Sequence, residues 1–346
     1  LKPQGMVDLT AEVTYWSGDD RLSVGFRAEP RQDTSIEPVA FPYKMEKLGG
    51  VLWYRDGQVT LERVRASHGD TQFSCGGNCR FLADGGWLLH LENIAADRVH
   101  MGRELVQALP ERLKKGLLAI QPTGPVNLRG VVDFSRSGEP HSPLVSHWDV
   151  ELHFHRASVD FGLKMENMCG GIRLVGGHDG RQFSSRGELS IDSLTWQGMQ
   201  FTQILGPFWI DDARILLGTW VDRPPTAAAD ETAESSRPAP RWVTAELFDG
   251  TALVSAGVAL GETPRYEMHI ELAQADLAQA ARDLIPGPQT LSGKVWATAD
   301  LRGAGRNLSA MGGRGRVALR EANVYELPVM IALLKILRIQ EPNTNA

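Results

Sequence analysis

Tyr43-Lys44-Met45-Glu46-Lys47-Leu48-Gly49-Gly50 returns, altered, as Leu163-Lys164-Met165-Glu166-Asn167-Met168-Cys169-Gly170-Gly171. Both copies carry Lys-Met-Glu, a short gap and Gly-Gly. In each, an apolar residue then opens what reads as a new strand, at Val51-Leu52-Trp53 and Ile172-Arg173-Leu174. The Lys-Met-Glu triplets begin at Lys44 and Lys164, 120 residues apart. A second landmark gives nearly the same spacing. Lys2-Pro3-Gln4-Gly5 precedes an alternating stretch at 7–15, as Gln121-Pro122-Thr123-Gly124 precedes one at 126–134. Self-similarity at a fixed period marks an array of like units, each a piece of supersecondary structure.

Outward from that motif the chain reads as strands. Leu9, Ala11, Val13 and Tyr15 alternate with polar residues, as do Leu22, Val24 and Phe26. Period-2 alternation gives one buried and one wet face. Asp56-Gly57 between alternating runs is a hairpin signal. Trp148, Val150, Leu152 and Phe154 form a further strand, with His147, Asp149, Glu151, His153 and His155 on its other face. The Gly-rich pieces around Gly187, Gly206, 303–305 and 312–315 read as turns. Met101, Leu105, Leu109 and Leu113 fall four apart, the spacing of one helix face, and Pro110 must kink or divide that helix.

The script resumes after a low-complexity, apolar-poor insertion at 223–241 that reads as a disordered loop. The segment 250–257 parallels 69–76, and Tyr266, Met268, Ile270 and Leu272 parallel 87–91. Asp276, with Gln279 three residues on, reads as a helix N-cap. The apolar stretch 327–339 reads as a C-terminal helix, with Pro328 in its first turn. At roughly a dozen residues it is too short to span a bilayer. Packing over the end of a sheet and lying on a membrane or partner surface both remain open for it.

The 346 residues are 42% hydrophobic and 23% charged, with a net charge of −6. This composition is globular. The mild acidity supplies no basic stripe, so nucleic acid is not an expected partner. Three cysteines, Cys75, Cys79 and Cys169, argue against a disulfide framework. Cys75 and Cys79 could close a small loop or bind a metal, but read more simply as small residues in a strand and its turn. The chain opens on Leu1-Lys2-Pro3 without Met. We therefore expect a piece of a longer polypeptide.

Few constellations point to chemistry. A His-x-His pair at His153 and His155 beside carboxylates is a metal-ligand pattern. It is also what the polar face of an amphipathic strand looks like. Ser67, His68 and Asp70 are triad residue types, but neighbours on one strand cannot adopt triad geometry by themselves. No catalytic residue and no cofactor are assigned. Several of the nine tryptophans recur on strands, and Trp296 sits out of phase between Val295 and Ala297.

The later segments carry a resemblance. A glycine-bounded strand (250–257), a strand running into an Asp-capped helix (266–285), a Leu-Ser-Gly strand (291–299) and a final strand with a Leu-Pro-initiated apolar helix (315–339) follow one pattern. The earlier copy at 69–134 fits the same template. In these features the chain resembles the C-terminal region of the AsmA-like bacterial envelope proteins, within the repeating-β-groove, bridge-like lipid-transfer group. The Lys-Met-Glu segments and the 223–241 insertion are not part of that pattern.

The resemblance implies a mainly β fold: a long, curved antiparallel sheet in a repeating β-groove or taco-like form, with a few short helices including one at the C-terminus. It implies a non-enzymatic periplasmic protein, its parent anchored in the inner membrane by a segment outside this chain. Lipid acyl chains would be held or conducted along an apolar groove, for phospholipid transport or outer-membrane assembly. The expected partners are phospholipid or another lipid, and a membrane surface or envelope proteins through 327–339. Groove-lining candidates are Leu128, Val132, Val150, Leu152, Phe154, Met268 and Ile270; the same residues would serve as plain sandwich core. The expected organisation is a first β-repeat unit at 1–119, a second at 120–285 and terminal strands with a capping helix at 286–346. A structural or adhesive β-repeat protein with a closed core is the alternative. A glycan-acting enzyme on a β-helix or sandwich is the second, with acidic pairs around Asp149 and Glu151.

Overall fold

The computed structural model describes residues 2–17, 21–39, 41–109, 114, 122–160, 164–218, 242–261, 263–284, 291–305 and 310–323. In chain order the elements are β1 (Lys2–Gln4), β2 (Val7–Trp16), β3 (Arg21–Pro30), β4 (Ser35–Glu37), β5 (Glu46–Arg55), β6 (Gln58–His68), β7 (Thr71–Phe81), β8 (Trp87–Val99) and α1 (Arg103–Ala108). Then come β9 (Val126–Arg136), β10 (Val145–Asp160), β11 (Lys164–His178), β12 (Phe183–Trp196), β13 (Met199–Asp211) and β14 (Arg214–Leu217). The last are β15 (Val243–Leu247), β16 (Gly250–Ala259), β17 (Arg265–Asp276), α2 (Leu277–Leu284), β18 (Ser292–Ala304) and β19 (Gly312–Asn323).

The fold is mainly β, as expected: one long antiparallel sheet running from β2 to β19. Most neighbours in sequence are neighbours in the sheet; β1 and β4 pair apart from it, and β3 pairs on to β5. Asp56 and Gly57 both take positive φ (48° and 80°) between paired Arg55 and Gln58, a two-residue primed turn whose twist matches that of the strands. Between β13 and β16 two short strands lie end to end. β14 pairs with Phe208–Ile210 and β15 with Thr202 and Leu205, and both pair with β16. The pairing closes into a ring only there. Closing the whole sheet into a barrel would set β19 against β2. No register joins them among the described residues, and β2 is exposed at all ten positions. The sheet has two ends.

The repeated motif is a β-bulge. Lys47 and Asn167 occupy the same place in the two copies, and both sit at φ 53°. The register slips there, between Glu46 and Gly49 against β6 and between Glu166 and Cys169 against β12. Three residues after each bulge residue comes a glycine at positive φ, Gly50 (114°) and Gly170 (126°). A Cβ on Gly50 would lie 2.8 Å from the Arg63 carbonyl oxygen, and one on Gly170 would lie 2.5 Å from that of Ser190. The next strand's backbone crosses too close for any side chain. A salt bridge within each triplet, Lys44–Glu46 and Lys164–Glu166, lies on the wet side. The Gly-Gly pair is therefore not the bend that opens a new strand. β5 and β11 run straight through it, and the bulge adds twist within them.

The second landmark also has a structural counterpart, and a third copy appears. A Cβ on Gly5 would sit 2.6 Å from the Thr34 Cα, one on Gly124 3.0 Å from that of Ala157, and one on Gly293 2.6 Å from that of Ala322. All three glycines have positive φ (113°, 92° and 130°). Two residues after each begins the same ladder: Val7, Val126 and Val295 head β2, β9 and their counterpart in β18. The succession β7–β8–α1–β9 likewise returns as β16–β17–α2–β18. The sheet passes unbroken through both expected unit boundaries, by the β8–β9 and β17–β18 pairings. The units are thus stretches of one sheet.

Other readings need correcting. The pieces around Gly187 and Gly206 are not turns, because β12 and β13 run through them. These glycines mark close approaches: the Phe208 ring lies against Gly187, and the β15 backbone lies against Gly206. β18 and β19 likewise absorb most of the glycines at 303–305 and 312–315. The helix at 101–113 is described only as α1, which ends at Leu109 in extended backbone. The 223–241 insertion and the 327–339 helix lie outside the described residues.

A filled core exists where α2 packs on the sheet. Leu277, Ala280 and Ala281 press against β15–β18, and Ala252 and Ala275 are 0% exposed. Asp276 caps α2 by accepting the Gln279 backbone N–H at 3.0 Å, and that bond holds its carboxyl below the usual range.

Candidate functional site

Antiparallel partners point to the same face, so the registers can be followed across the sheet. Leu9 stands opposite Ala28, then in turn Leu52, Leu61, Gly77, Leu91, Val132, Trp148, Gly176, Ser185, Ile210, Ile215, Val258, Tyr266 and Gly303. This one row crosses β2 to β18 without a charged residue. At about 4.8 Å per strand it is roughly 70 Å long. One residue along, on the other face, runs Thr10, Arg27, Trp53, Thr60, Asn78, His90, Asp133, His147, Gly177, Ser184 and Asp211. The sheet thus separates an apolar face from a polar one along its length.

All seven groove candidates fall on the apolar face. Leu128 and Leu152 are directly opposed, Val132 faces Trp148 and Val150 faces Gly130. Phe154 caps the same row against Val126, which is buried. Met268 and Ile270 join them from β17 through Ala256 and Val254. Val150 is buried; the other six are half-buried.

Cover over this face is uneven. It is dense beneath α2 and sparse at the other end, where Leu9 is 66%, Val13 63% and Leu22 59% exposed. Large apolar side chains exposed side by side on adjacent strands mark a surface built to meet something apolar. The alternation identified these residues, but nothing in sequence revealed how the cover is distributed.

Aromatic rings keep the face low by lying across glycines. Trp148, whose register partner on β11 is Gly176, stacks on Phe183 two strands away (5.4 Å between ring centres), and its Nε1–H donates to Ser185 Oγ at 3.3 Å. Tyr266 covers Gly303, where a Cβ would lie 2.4 Å from its ring. The out-of-phase Trp296 belongs instead to the polar face, beneath Arg320 at 4.8 Å, and Trp53 and Trp209 lie there likewise beneath Arg27 and Arg214, at 5.4 and 5.2 Å.

The polar face is organised as ion pairs. Arg173 grips Asp149 with two bonds, of 2.9 and 2.7 Å, and lowers its carboxyl below the usual range. Asp300 and then Glu271 raise His269 above the ordinary imidazole value. His153 reaches Glu151 at 3.6 Å, and His155 is exposed. No group of three or more His, Cys, Asp or Glu side chains is arranged to hold a metal ion among the described residues. Asp149 is held by Arg173, while Glu151 faces His153. Cys75, Cys79 and Cys169 are free thiols, and burial raises those of Cys75 and Cys79. No described helix is long and apolar enough to cross a membrane.

No family model, curated protein or solved structure matches the chain. The functional reading therefore rests on the residues and their geometry.

Proposed function

We propose that this sheet holds or conducts lipid acyl chains along its apolar face, as part of an AsmA-like bacterial envelope protein serving phospholipid transport or outer-membrane assembly. The observation that carries the reading is the charge-free row from Leu9 to Gly303, open at its β2 end. Each methylene laid against such a surface gains up to about 0.8 kcal/mol. A carboxylate or ammonium in the row would interrupt that gain and add a desolvation cost. The row has no such barrier, so acyl chains move along it by diffusion. Headgroups stay in water at its margins. Nothing in this mechanism requires a covalent step or a cofactor.

The test uses the exposed end, where folding and lipid binding separate. Leu9→Asp with Val13→Asp places two carboxylates on solvent-facing positions. Stability in urea should change by less than about 1 kcal/mol in total. Phospholipid recovered by solvent extraction of the purified protein should fall severalfold. Unchanged lipid recovery from a folded double variant would contradict the reading.

A further inference from the structure

The three copies of the opening ladder differ in one respect. Counted from Gly5, Gly124 and Gly293, they present Val7, Val126 and Val295, then Leu9, Leu128 and Ala297, then Val13, Val132 and Leu301. In two copies the outer edge is filled. β8 pairs along β9, with Leu91 opposite Val132 and Ala96 opposite Leu128. β17 pairs along β18, with Met268 opposite Leu301 and Leu272 opposite Ala297. Both filling strands contain a left-handed residue near their ends, Arg98 (φ 54°) and Gln274 (φ 58°), and both lead into a short helix. In the first copy β2 pairs with β3 alone among the described residues.

The two ends of the sheet are also unlike. β19 carries exposed Arg314, Arg316 and Arg320 and a left-handed Glu321, devices that discourage strand addition. β2 has none of these. It contains no Lys, Arg or Pro, and its register with β3 is unbroken for ten residues. Its acids are already paired, Asp8 with Arg31 and Glu12 with Arg55. A long, regular, unguarded edge is a template for another strand.

We propose that the outer edge of β2, from Val7 to Thr14, accepts an antiparallel strand of the β8 and β17 type, supplied by a further repeat unit of this same kind. The incoming strand sets apolar side chains opposite Leu9 and Val13, continues the apolar face and leads into a short helix. Strand addition at this edge holds whatever the apolar face carries.

The experiment fuses a second copy of residues 71–119 ahead of Leu1 in the full chain, so that Leu1 takes the place of Ile120. Hydrogen exchange is then followed at the amides of 7–14. Those pointing away from β3 should exchange on the order of 100-fold or more slowly than in the unfused chain. The protection should vanish when the fused copy alone carries Leu91→Asp and Ala96→Asp. A synthetic peptide of residues 84–100, added in excess to the unfused chain, should protect the same amides and covers the case in which the fusion misfolds. Exchange unchanged by both fusion and peptide would overturn the proposal. Protection in the unfused chain that grows with protein concentration would overturn it too, by assigning the edge to a second copy.

Discussion

Gly50→Ala is expected to cost about 3–5 kcal/mol of folding stability, while Gly49→Ala, one residue away, should shift it by less than about 0.5 kcal/mol. Both glycines belong to the repeated motif, and sequence gives no reason to rank them. The difference lies in the backbone. Gly50 holds φ 114°, and a Cβ there would meet the backbone of Glu62, Arg63 and Val64 within 2.9 Å. Gly49 has nothing within 4 Å of its would-be Cβ. Gly170→Ala should behave like Gly50→Ala, because its Cβ would lie 2.6 Å from the Ile191 Cα. Urea titration of the three variants checks this. Equal effects at Gly49 and Gly50 would mean that the bulge does not constrain the motif.

Tyr266→Ala should cost about 3 kcal/mol or more, since a buried aromatic ring is lost from the apolar face. Gly303→Val alone should cost about 1–3 kcal/mol, because its side chain must displace the ring lying 2.4 Å from the Cβ position. Together the two changes should cost at least about 1 kcal/mol less than the sum of their separate effects. Valine then occupies the space the ring has left, on a strand where φ already suits a β-branched residue. Thermal or urea denaturation of the four proteins in the cycle measures the coupling. Additive costs would show that ring and glycine are not packed as one unit.

The alternating residues were legible because a half-buried strand prints its two faces directly into sequence. Leu128, Val132, Val150, Leu152, Phe154, Met268 and Ile270 all reached one face for that reason. The period was legible because Lys-Met-Glu and Pro-x-Gly recur with the units. The bulges were hidden. Lys47, Arg63, Asn93, Arg156 and Gln203 hold left-handed backbone within strands, yet as residue types they read as ordinary polar positions. Glycine misled in the opposite direction: at Gly187, Gly206 and Gly303 it marks a ring or a neighbouring backbone lying close, and punctuation and close approach look identical in sequence. The third opening, at Gly293, has Leu291 where the other two have the proline of Pro-x-Gly, and emerged from its contact with Ala322. Trp296 stood out of phase in sequence because a tryptophan beneath an arginine belongs to a polar face while looking apolar by type.

The central claim is that the apolar face is a lipid-bearing surface. Native mass spectrometry of the chain, purified from bacterial membranes and periplasm without added detergent, tests it most directly. The account predicts a series of adducts at phospholipid mass spacing, removed by organic extraction and much reduced in the Leu9→Asp/Val13→Asp variant. A single bare-protein mass from folded protein, unchanged after incubation with phospholipid vesicles, would contradict it.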